Sequence, residues 1–553
     1  MTRSSLRGEG SAVEEAIPPA PRKGSTSDGR GRHGGGGRGG GGRGGKRRDA
    51  GGASPARRVL RWSATALALV VLGTAGAGYL YYQHLNNNIR KGQRSSGDSK
   101  AQRSRPNAAG QTPMNILLIG SDSRNSDANV ALGGSRDNRG TPPRADVQML
   151  IHLAADRKSA AVVSIPRDTR VDIPKCTDPD TGEVYPPVNK IINESLARGG
   201  PGCTLATWES LTGVYIDHWM TIDFAGVVKM ADAIGGVEVC VKQNVWDHPT
   251  PQAPGGSGLK LTAGKHKVKG KQALQWLRTR HAWGSDQMRA RGQHMYLNSM
   301  IRTLQHQNVF TDTGRLMNLA ETATKSLEVS EEVGTVKKLY DLGMQLKTVP
   351  TDRITMTTMP NIKDWKDENH LLPDGANAAR MWKMLRDDVP FDDKGPSADA
   401  KKRTGKSAPS RTPSVAADRL GVLVQNATRT ATQAPVGGRA REISQELAGK
   451  GFTRAAADTS PALAEDETLV RYPSADMEGD AQSVAKALGI PLSSVRKSTD
   501  VSGVTVVVGA DWRTGSTYPE EATPKPGELP DNSDAINGSD ENQCMDVYAP
   551  YRW

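Results

Sequence analysis

Apolar positions along the chain fall into three arrangements, and each predicts a different kind of element. From Trp62 to Ile89 there is no Asp, Glu, Lys or Arg. The 21 residues Trp62–Tyr82 (WSATALALVVLGTAGAGYLYY) would span about 31 Å as a helix, the thickness of a bilayer's hydrocarbon core. Trp62 at one end and Tyr79, Tyr81 and Tyr82 at the other suit the two membrane interfaces. Further on, MNILLIG (Met114–Gly120), VQMLIHL (Val147–Leu153) and AAVVSI (Ala160–Ile165) are short apolar runs bounded by turn residues, the pattern of buried strands. Leu196–Leu211 and Val268–Arg280 read as helices, which makes this long region α/β. A smaller alternation follows: a strand over Gly421–Val424, a helix over Arg439–Lys450, a strand over Thr468–Tyr472, a helix over Gly479–Leu488 and a strand over Val504–Gly509.

These patterns divide the chain into seven segments. Residues 1–61 are a basic Gly/Arg-rich tail, 62–82 a transmembrane helix and 83–112 a polar linker. Residues 113–390 form a large α/β domain with a central mixed sheet flanked by helices. A Pro/Ser/Lys-rich linker (391–418) leads to a small α/β domain (419–512), and 513–553, rich in Pro, Asp, Glu and Asn, read as disordered. Arg57, Arg58 and Arg61 place the N-terminus in the cytoplasm and the rest outside the cell. Ala75-Gly76-Ala77 has the form of a leader-cleavage site, but the long apolar run and long basic arm favour an uncleaved anchor.

The charge of +13 is unevenly spread. Residues 1–61 carry 14 Lys/Arg against five Asp/Glu, so +9 of it sits in the tail. The body is close to balanced, which argues against nucleic acid as its partner. Eleven Gly in the fifteen residues 31–45 leave almost no apolar surface to offset the entropy of ordering. RGG-like segments can bind single-stranded RNA; beside a membrane span, a solvated cationic arm is the simpler reading.

Candidate chemistry gathers at element ends, where α/β folds place ligand sites. Asp122 lies in GSDSR after the first strand, Arg144 and Asp146 head the second, and Arg167 and Asp168 follow the third. Arg278 and Arg280 close a helix and run into Asp286, Arg289 and Gln293. So many guanidiniums on one face would repel unless they serve a polyanion, and the planar fork of Arg suits phosphate. Two nearby carboxylates, Asp122 and Asp146, call for a divalent cation, with Mg²⁺ as the natural occupant. Each cluster alone could be a surface ion pair; four together point to phosphoryl transfer.

NILLIGSDSR, RADVQML, SIPRDTRVDIP, INESLARGGP, LTGVYIDHWMTIDFAGVVKMADAIGGVEV and KGKQALQWLRTR occur in an order that resembles the LytR-CpsA-Psr (LCP) family of cell-wall glycopolymer ligases, over about Pro113 to Pro390. Residues 419–512 resemble the small C-terminal domain often appended to that family. The resemblance implies a membrane-anchored, Mg²⁺-dependent phosphotransferase (Mn²⁺ as the alternative ion) acting outside the cell. Its substrate would be a polyprenyl pyrophosphate-linked glycan, its acceptor a peptidoglycan hydroxyl, its released product polyprenyl phosphate, and its lipid site a long apolar pocket. It further implies that Asp122 and Asp146 hold the metal. Arg144, Arg167, Arg278, Arg280 and Arg289 would grip the pyrophosphate with Gln293 nearby, and Asp168 and Asp286 would orient arginines or assist proton removal.

Two departures stand out. The family's Lys-Ile-Asn becomes Asn189-Lys190-Ile191-Ile192-Asn193, and its Arg-Gln becomes Gly292-Gln293, with Arg291 one position earlier. A polyprenyl pyrophosphate phosphatase and a non-catalytic wall-binding or regulatory anchor are the competing readings. The metal carboxylates and arginine set weigh against the second. Cys176 and Cys203 could pair or stay as buried thiols, Cys240 reads as a core residue, and Cys544 lies in the tail. The ten His show no zinc-binding spacing.

Overall fold

A computed structural model describes residues 55–553 apart from 105, 107–109, 123–126, 128, 130, 131, 133–139, 252, 307–311, 396–410, 430–432, 466 and 520–523. The Gly-rich stretch 31–45 and much of the 391–418 linker lie outside the described residues. The chain forms two units, 1–73 and 74–553. The described part of the first is helical and belongs to α1 (Pro55–Asn88), longer than the expected 62–82. Over Arg58–Asn88 this helix is long and apolar enough to cross a membrane. Its Trp62, Leu67, Leu69 and Leu72 are exposed.

The second unit is built on an eight-stranded mixed sheet. In chain order its early strands are β1 (Arg90–Gly92), β2 (Met114–Ser121), β3 (Ala145–Leu153) and β4 (Ala160–Ser164). Next come α2 (Gly200–Thr212), β5 (His218–Ile222), α3 (Phe224–Ala233), β6 (Val237–Val241), the short pair β7 (Val245–Trp246) and β8 (Lys260–Leu261), and β9 (Gly264–Val268). The chain continues through α4 (Gly270–Arg278), α5 (Asp286–His306), α6 (Thr313–Ser326), β10 (Leu327–Ser330), α7 (Val336–Lys347), β11 (Ile354–Thr358) and α8 (Gly375–Arg386). The sheet order is β1-β10-β5-β2-β3-β4-β11, completed by a strand from the far end of the chain.

The three apolar runs pair antiparallel at its centre, Leu117 opposite Leu150 and Leu150 opposite Val163. They are apolar on both faces because both faces are covered. Leu117, Ile119, Leu150 and Val163 pack with Trp208 of α2 and Met381 and Trp382 of α8. Ile116, Met149, Ile151 and Val162 pack with Leu342 of α7, and Leu297 and Ile301 of α5 lie against that cluster. The helix expected over Leu196–Leu211 is instead a 3₁₀ turn (Ile192–Arg198) and α2, separated where Gly199 and Gly200 take positive φ. The helix expected from Val268 begins at Gly270, since Val268 ends β9.

The small domain consists of β12 (Val422–Asn426), α9 (Arg439–Gly449), β13 (Ala455–Ala457), β14 (Leu469–Tyr472), α10 (Glu478–Leu488), β15 (Val495–Lys497) and β16 (Val504–Val508). Its sheet order is β13-β12-β16-β14-β15, over a separate core that includes Ile443, Val484 and Trp512.

The C-terminal residues depart from the expected disorder. β17 (Ile536–Asn537) adds to the large sheet, Met356 opposite Ile536. Cys544 is bonded to Cys240, 304 positions earlier, so Cys240 is not a free core thiol. Ile536, Met545, Val547 and Tyr551 are buried in one cluster with Trp276 and Trp283. A few apolar anchors, one strand pairing, a single bridge between Met545 and Val241 and a covalent link order a segment whose overall composition is polar; composition averages over 40 residues and misses such sparse anchors. Cys176 and Cys203 are also bonded, fixing the loop after β4 to α2.

Candidate functional site

Because β2, β3 and β4 are neighbours and antiparallel, the end of β2, the start of β3 and the end of β4 share one edge of the sheet. A register shift between Gly120 and Ser121 bends β2 there. A Cβ on Gly120 would lie 2.9 Å from Val147 Cβ, so the approach requires glycine. Asp122 leaves the strand with its Oδ1 accepting from the Arg144 amide at 2.7 Å. Arg167 follows β4 and reaches back across the edge: Nη1 donates to Asp146 Oδ1 at 2.9 Å and Nε to Asp168 Oδ2 at 3.3 Å. Burial alone would lower its pKa, but Asp146, Asp168 and Asp286 around it raise it above the ordinary guanidinium value. The group is a permanent cation.

The second half of the site comes from helices. Arg278 is the last residue of α4, and its Cζ stands 4.9 Å from the Phe224 ring centroid. Arg280 follows, its Nη2 3.2 Å from His281 Nε2. On α5, Asp286, Arg289 and Gln293 are three and four residues apart and share a face. Arg289 is 8% exposed and donates from Nη2 to Asp286 Oδ2 at 3.1 Å. Burial lowers the Arg289 pKa, Asp286 opposes that shift, and Arg167 adds to it. Arg289 Nε and Asp286 Oδ1 are buried with no hydrogen-bond partner among the described residues. Gln293 Nε2 donates to the Leu277 carbonyl at 3.0 Å, tying α5 to α4.

Two cavities meet at the Arg167–Asp146 pair. One, of about 290 Å³, is lined by Asp146, Arg167, Arg278, Arg280, Arg289 and Gln293, with Val147, Phe224, Val227, Leu274 and Leu277 as its apolar wall. The other, of about 600 Å³, is polar and is lined by Asp122, Arg144, Asp146, Arg167 and Asp168, with Asn193 and Arg198. Nine of the ten sequence-derived residues therefore face one cavity or the other. Asp286 lines neither and stands behind Arg289. Asp122 and Asp146 line one cavity and could hold a cation together with a ligand's oxygens.

Sequence reasoning missed Asp247 and His281 and gave Asn193 no role. Asp247 is fully buried and accepts from the Ser257 amide at 2.7 Å and the Ala282 amide at 3.2 Å, tying the β7–β8 connection to the turn after Arg280. An acid between two aromatic residues, Trp246-Asp247-His248, was its only signal. The two departures from the family pattern also have places. Lys190 pairs with Glu194 at 2.9 Å. Arg291 pairs with Asp534 and lies 3.1 Å from Gln543, turned to the C-terminal segment. Gly292 gives its carbonyl to Trp276 Nε1 at 2.9 Å, and a Cβ there would approach Trp283 Nε1 to 3.4 Å.

A mixed sheet with helices on both faces and phosphate-type arginines at its edge is the architecture the sequence resemblance implies. A profile of the LytR_cpsA_psr family matches residues 79–387, more than half the chain, and the protein belongs to that family. A second profile, LytR cell envelope-related transcriptional attenuator, matches residues 419–512.

Among curated proteins the chain is 28% identical over 320 residues to the cell wall biosynthesis protein LcpA of Corynebacterium glutamicum, covering 53% of this chain and 58% of that one. It is 24% identical over 307 residues to the polyisoprenyl-teichoic acid–peptidoglycan teichoic acid transferase TagT of Bacillus subtilis, covering 54% and 87%. The chain spans about three-fifths of the length of LcpA and of the probable cell wall biosynthesis protein LcpB of the same organism. Among solved structures, a LytR-Csp2A-Psr enzyme from Actinomyces oris gives a TM-score of 0.38 at 17% identity, covering 54% of this chain and 95% of that one. TagT bound to LIIa-WTA gives 0.38 at 19%, covering 54% and 98%.

Proposed function

We propose that this protein transfers a glycopolymer from a polyprenyl pyrophosphate carrier to a peptidoglycan hydroxyl on the outer side of the membrane. The observation that carries this reading is the Arg167–Asp146 pair, which stands between an apolar-walled cavity holding Arg278, Arg280 and Arg289 and a polar cavity holding Asp122 and Asp168. The apolar wall takes the first part of the lipid, the arginines take the diphosphate, and the acceptor hydroxyl reaches the phosphorus where the two cavities meet at Arg167 and Asp146. The acceptor oxygen forms a bond to the glycan-bearing phosphorus while the bond to the bridging oxygen breaks, and polyprenyl phosphate leaves. In this reading Asp168, 3.3 Å from Arg167 Nε, receives the hydroxyl proton, and Asp286 holds Arg289 in position. Guanidiniums fixed before the reaction stabilise the charge that develops on the phosphoryl oxygens.

Asp122 and Asp146 would hold Mg²⁺. Two carboxylates leave its remaining positions to water and substrate oxygens, the usual arrangement for this ion. When bound, it neutralises phosphate charge. The exposed apolar side chains of α1 support its role as a single-pass anchor, because in water they would be unfavourable on every face. The Arg-rich start of that helix supports a cytoplasmic N-terminus.

The test is to incubate the full chain with Mg²⁺, a lipid pyrophosphate-linked glycan and a peptidoglycan oligosaccharide. A joined glycan–peptidoglycan product supports the reading, and phosphate release without product replaces it with a phosphatase. Arg167→Ala and Arg280→Ala should each lose about 10²–10³-fold in turnover. Full turnover in both would remove the site assignment.

A further inference from the structure

Beside the apolar-walled cavity lies a surface that neither family profile covers in full, because half of it comes from residues after 512. Trp246 at the end of β7, Tyr548 and Trp553 are 41%, 56% and 51% exposed, in a molecule whose other tryptophans outside α1 are mostly buried. The two indoles are held in place, and the Tyr548 ring lies 6.4 Å from that of Tyr551. Trp246 stacks on His248 at 4.4 Å with 13° between planes. Trp553 donates its indole N–H to the Val245 carbonyl at 3.0 Å, and its own carbonyl accepts from Asn244 Nδ2 at 3.0 Å. Lys260 Nζ lies 4.8 Å from the Trp246 ring centroid and 4.5 Å from that of Trp553, joining the two.

The ledge is continuous with the site. Ring contacts run from Trp246 to His248, from His248 to Tyr551 at 5.8 Å, and from Tyr551 to His281 at 6.3 Å. His281 lines the cavity, as does Asp247, which sits between the two ledge residues Trp246 and His248. Fixed, half-exposed aromatic rings set among hydrogen-bonding groups match a pyranose, which offers a face of C–H bonds to a ring and a rim of hydroxyls to polar neighbours. The cations at the ledge are already engaged: Lys260 by two rings, Lys242 by Asp546 at 2.8 Å, and Arg552 through its Nε by the Val547 carbonyl at 2.8 Å. That suits a sugar chain of low charge density and disfavours a polyphosphate glycopolymer, which would need free cations.

We infer that Trp246, Trp553 and Tyr548 form a saccharide-binding ledge that holds the peptidoglycan glycan strand next to the reacting centre. This rests on the transfer reaction proposed above for the choice of strand, while the binding itself is independent of turnover. The C-terminal segment thus supplies part of the acceptor site.

The test uses the full chain in detergent and peptidoglycan sacculi stripped of secondary polymers, with a soluble peptidoglycan tetrasaccharide as the second probe. Trp246→Ala combined with Trp553→Ala should weaken binding to both by about tenfold or more. Tyr548→Ala should weaken it less, and Trp553→Phe should restore most of it. Arg280→Ala should bind the glycan as the parent chain does while losing transfer. Near-ultraviolet circular dichroism and an intact Cys240–Cys544 bond show that the variants are folded.

Unchanged glycan binding in the double variant overturns the inference even if transfer is observed. Ledge-dependent glycan binding by a chain that transfers nothing upholds it and removes the transfer reading instead. Loss of binding to phosphatidylglycerol vesicles, with glycan binding unchanged, would reassign the ledge to the membrane and overturn the proposal.

Discussion

The two cavities that meet at Arg167 are built on opposite plans. The polar one is made at a sheet edge, by strands whose ends are fixed by backbone pairing, and most of its acids and arginines come from three adjacent strand ends. The apolar-walled one shares Asp146, Val147 and Arg167 with that edge but is otherwise enclosed largely by α3, α4, α5 and the turn after α4, and the C-terminal residues support that turn from behind: the Tyr548 amide donates to the Ala282 carbonyl at 2.8 Å. Rigid ladder geometry thus sets one half, and long-range packing sets the other. The second half is the more vulnerable to changes far from it.

Arg167→Ala touches both halves and should have the largest effect. The expected loss is about 2–4 kcal/mol of transition-state stabilisation, measured as turnover with lipid-linked glycan and Mg²⁺. A loss below tenfold would mean that the pair with Asp146 is structural only.

Cys544→Ser removes the covalent support of the apolar-walled half alone. Stability should fall by about 2–4 kcal/mol in denaturant unfolding, and turnover should fall with it. Cys176→Ser should leave the Arg280–His281 turn unaffected, although it too will cost stability. Equal effects of both variants on turnover at low temperature would erase the contrast.

Acid should act on α5, which carries Arg289 and Gln293. His294 on that helix is wholly buried, with Nε2 2.6 Å from Ser164 Oγ at the end of β4, and burial pushes its pKa down to about 3. The unfolded chain takes up this proton near pH 6.5 and the folded one does not. The contribution is therefore fully present above about pH 6.5 and is lost progressively as pH falls towards 3, about 2 kcal/mol by pH 5. His294→Gln should flatten unfolding free energy against pH between 6.5 and 5; an unchanged slope would assign the acid sensitivity elsewhere.

Phe224→Ala should be the mildest. It trims the apolar wall under Arg278, and we expect KM for the lipid donor to rise about fivefold, roughly 1 kcal/mol, with kcat nearly intact. A selective fall in kcat would place Phe224 at the reacting centre.

The contrast between the halves also explains what could be read from the chain. Asp122, Asp146 and Arg167 could be found because strand runs are short, their ends are marked by turn residues, and antiparallel neighbours bring those ends together. Arg278, Arg280 and Arg289 were visible as motif residues, but their common cavity depends on helix packing that periodicity does not specify. The helices Phe224–Ala233, Thr313–Ser326 and Val336–Lys347 carry few fully buried residues and gave little pattern. The pairing of Cys240 with Cys544 was illegible because 303 residues intervene, and spacing holds no information at that range. Asp247 was missed for a related reason: its ligands are backbone amides, which leave no mark in a side-chain pattern.

The Cys240–Cys544 bond also closes a loop of covalent structure around everything between those two residues, the whole small domain included. A protease that cuts once anywhere inside that loop releases nothing. Both fragments stay joined through sulfur, and the appended domain can be shed only by two cuts or by one cut followed by a reductant, so a singly nicked molecule would keep its parts.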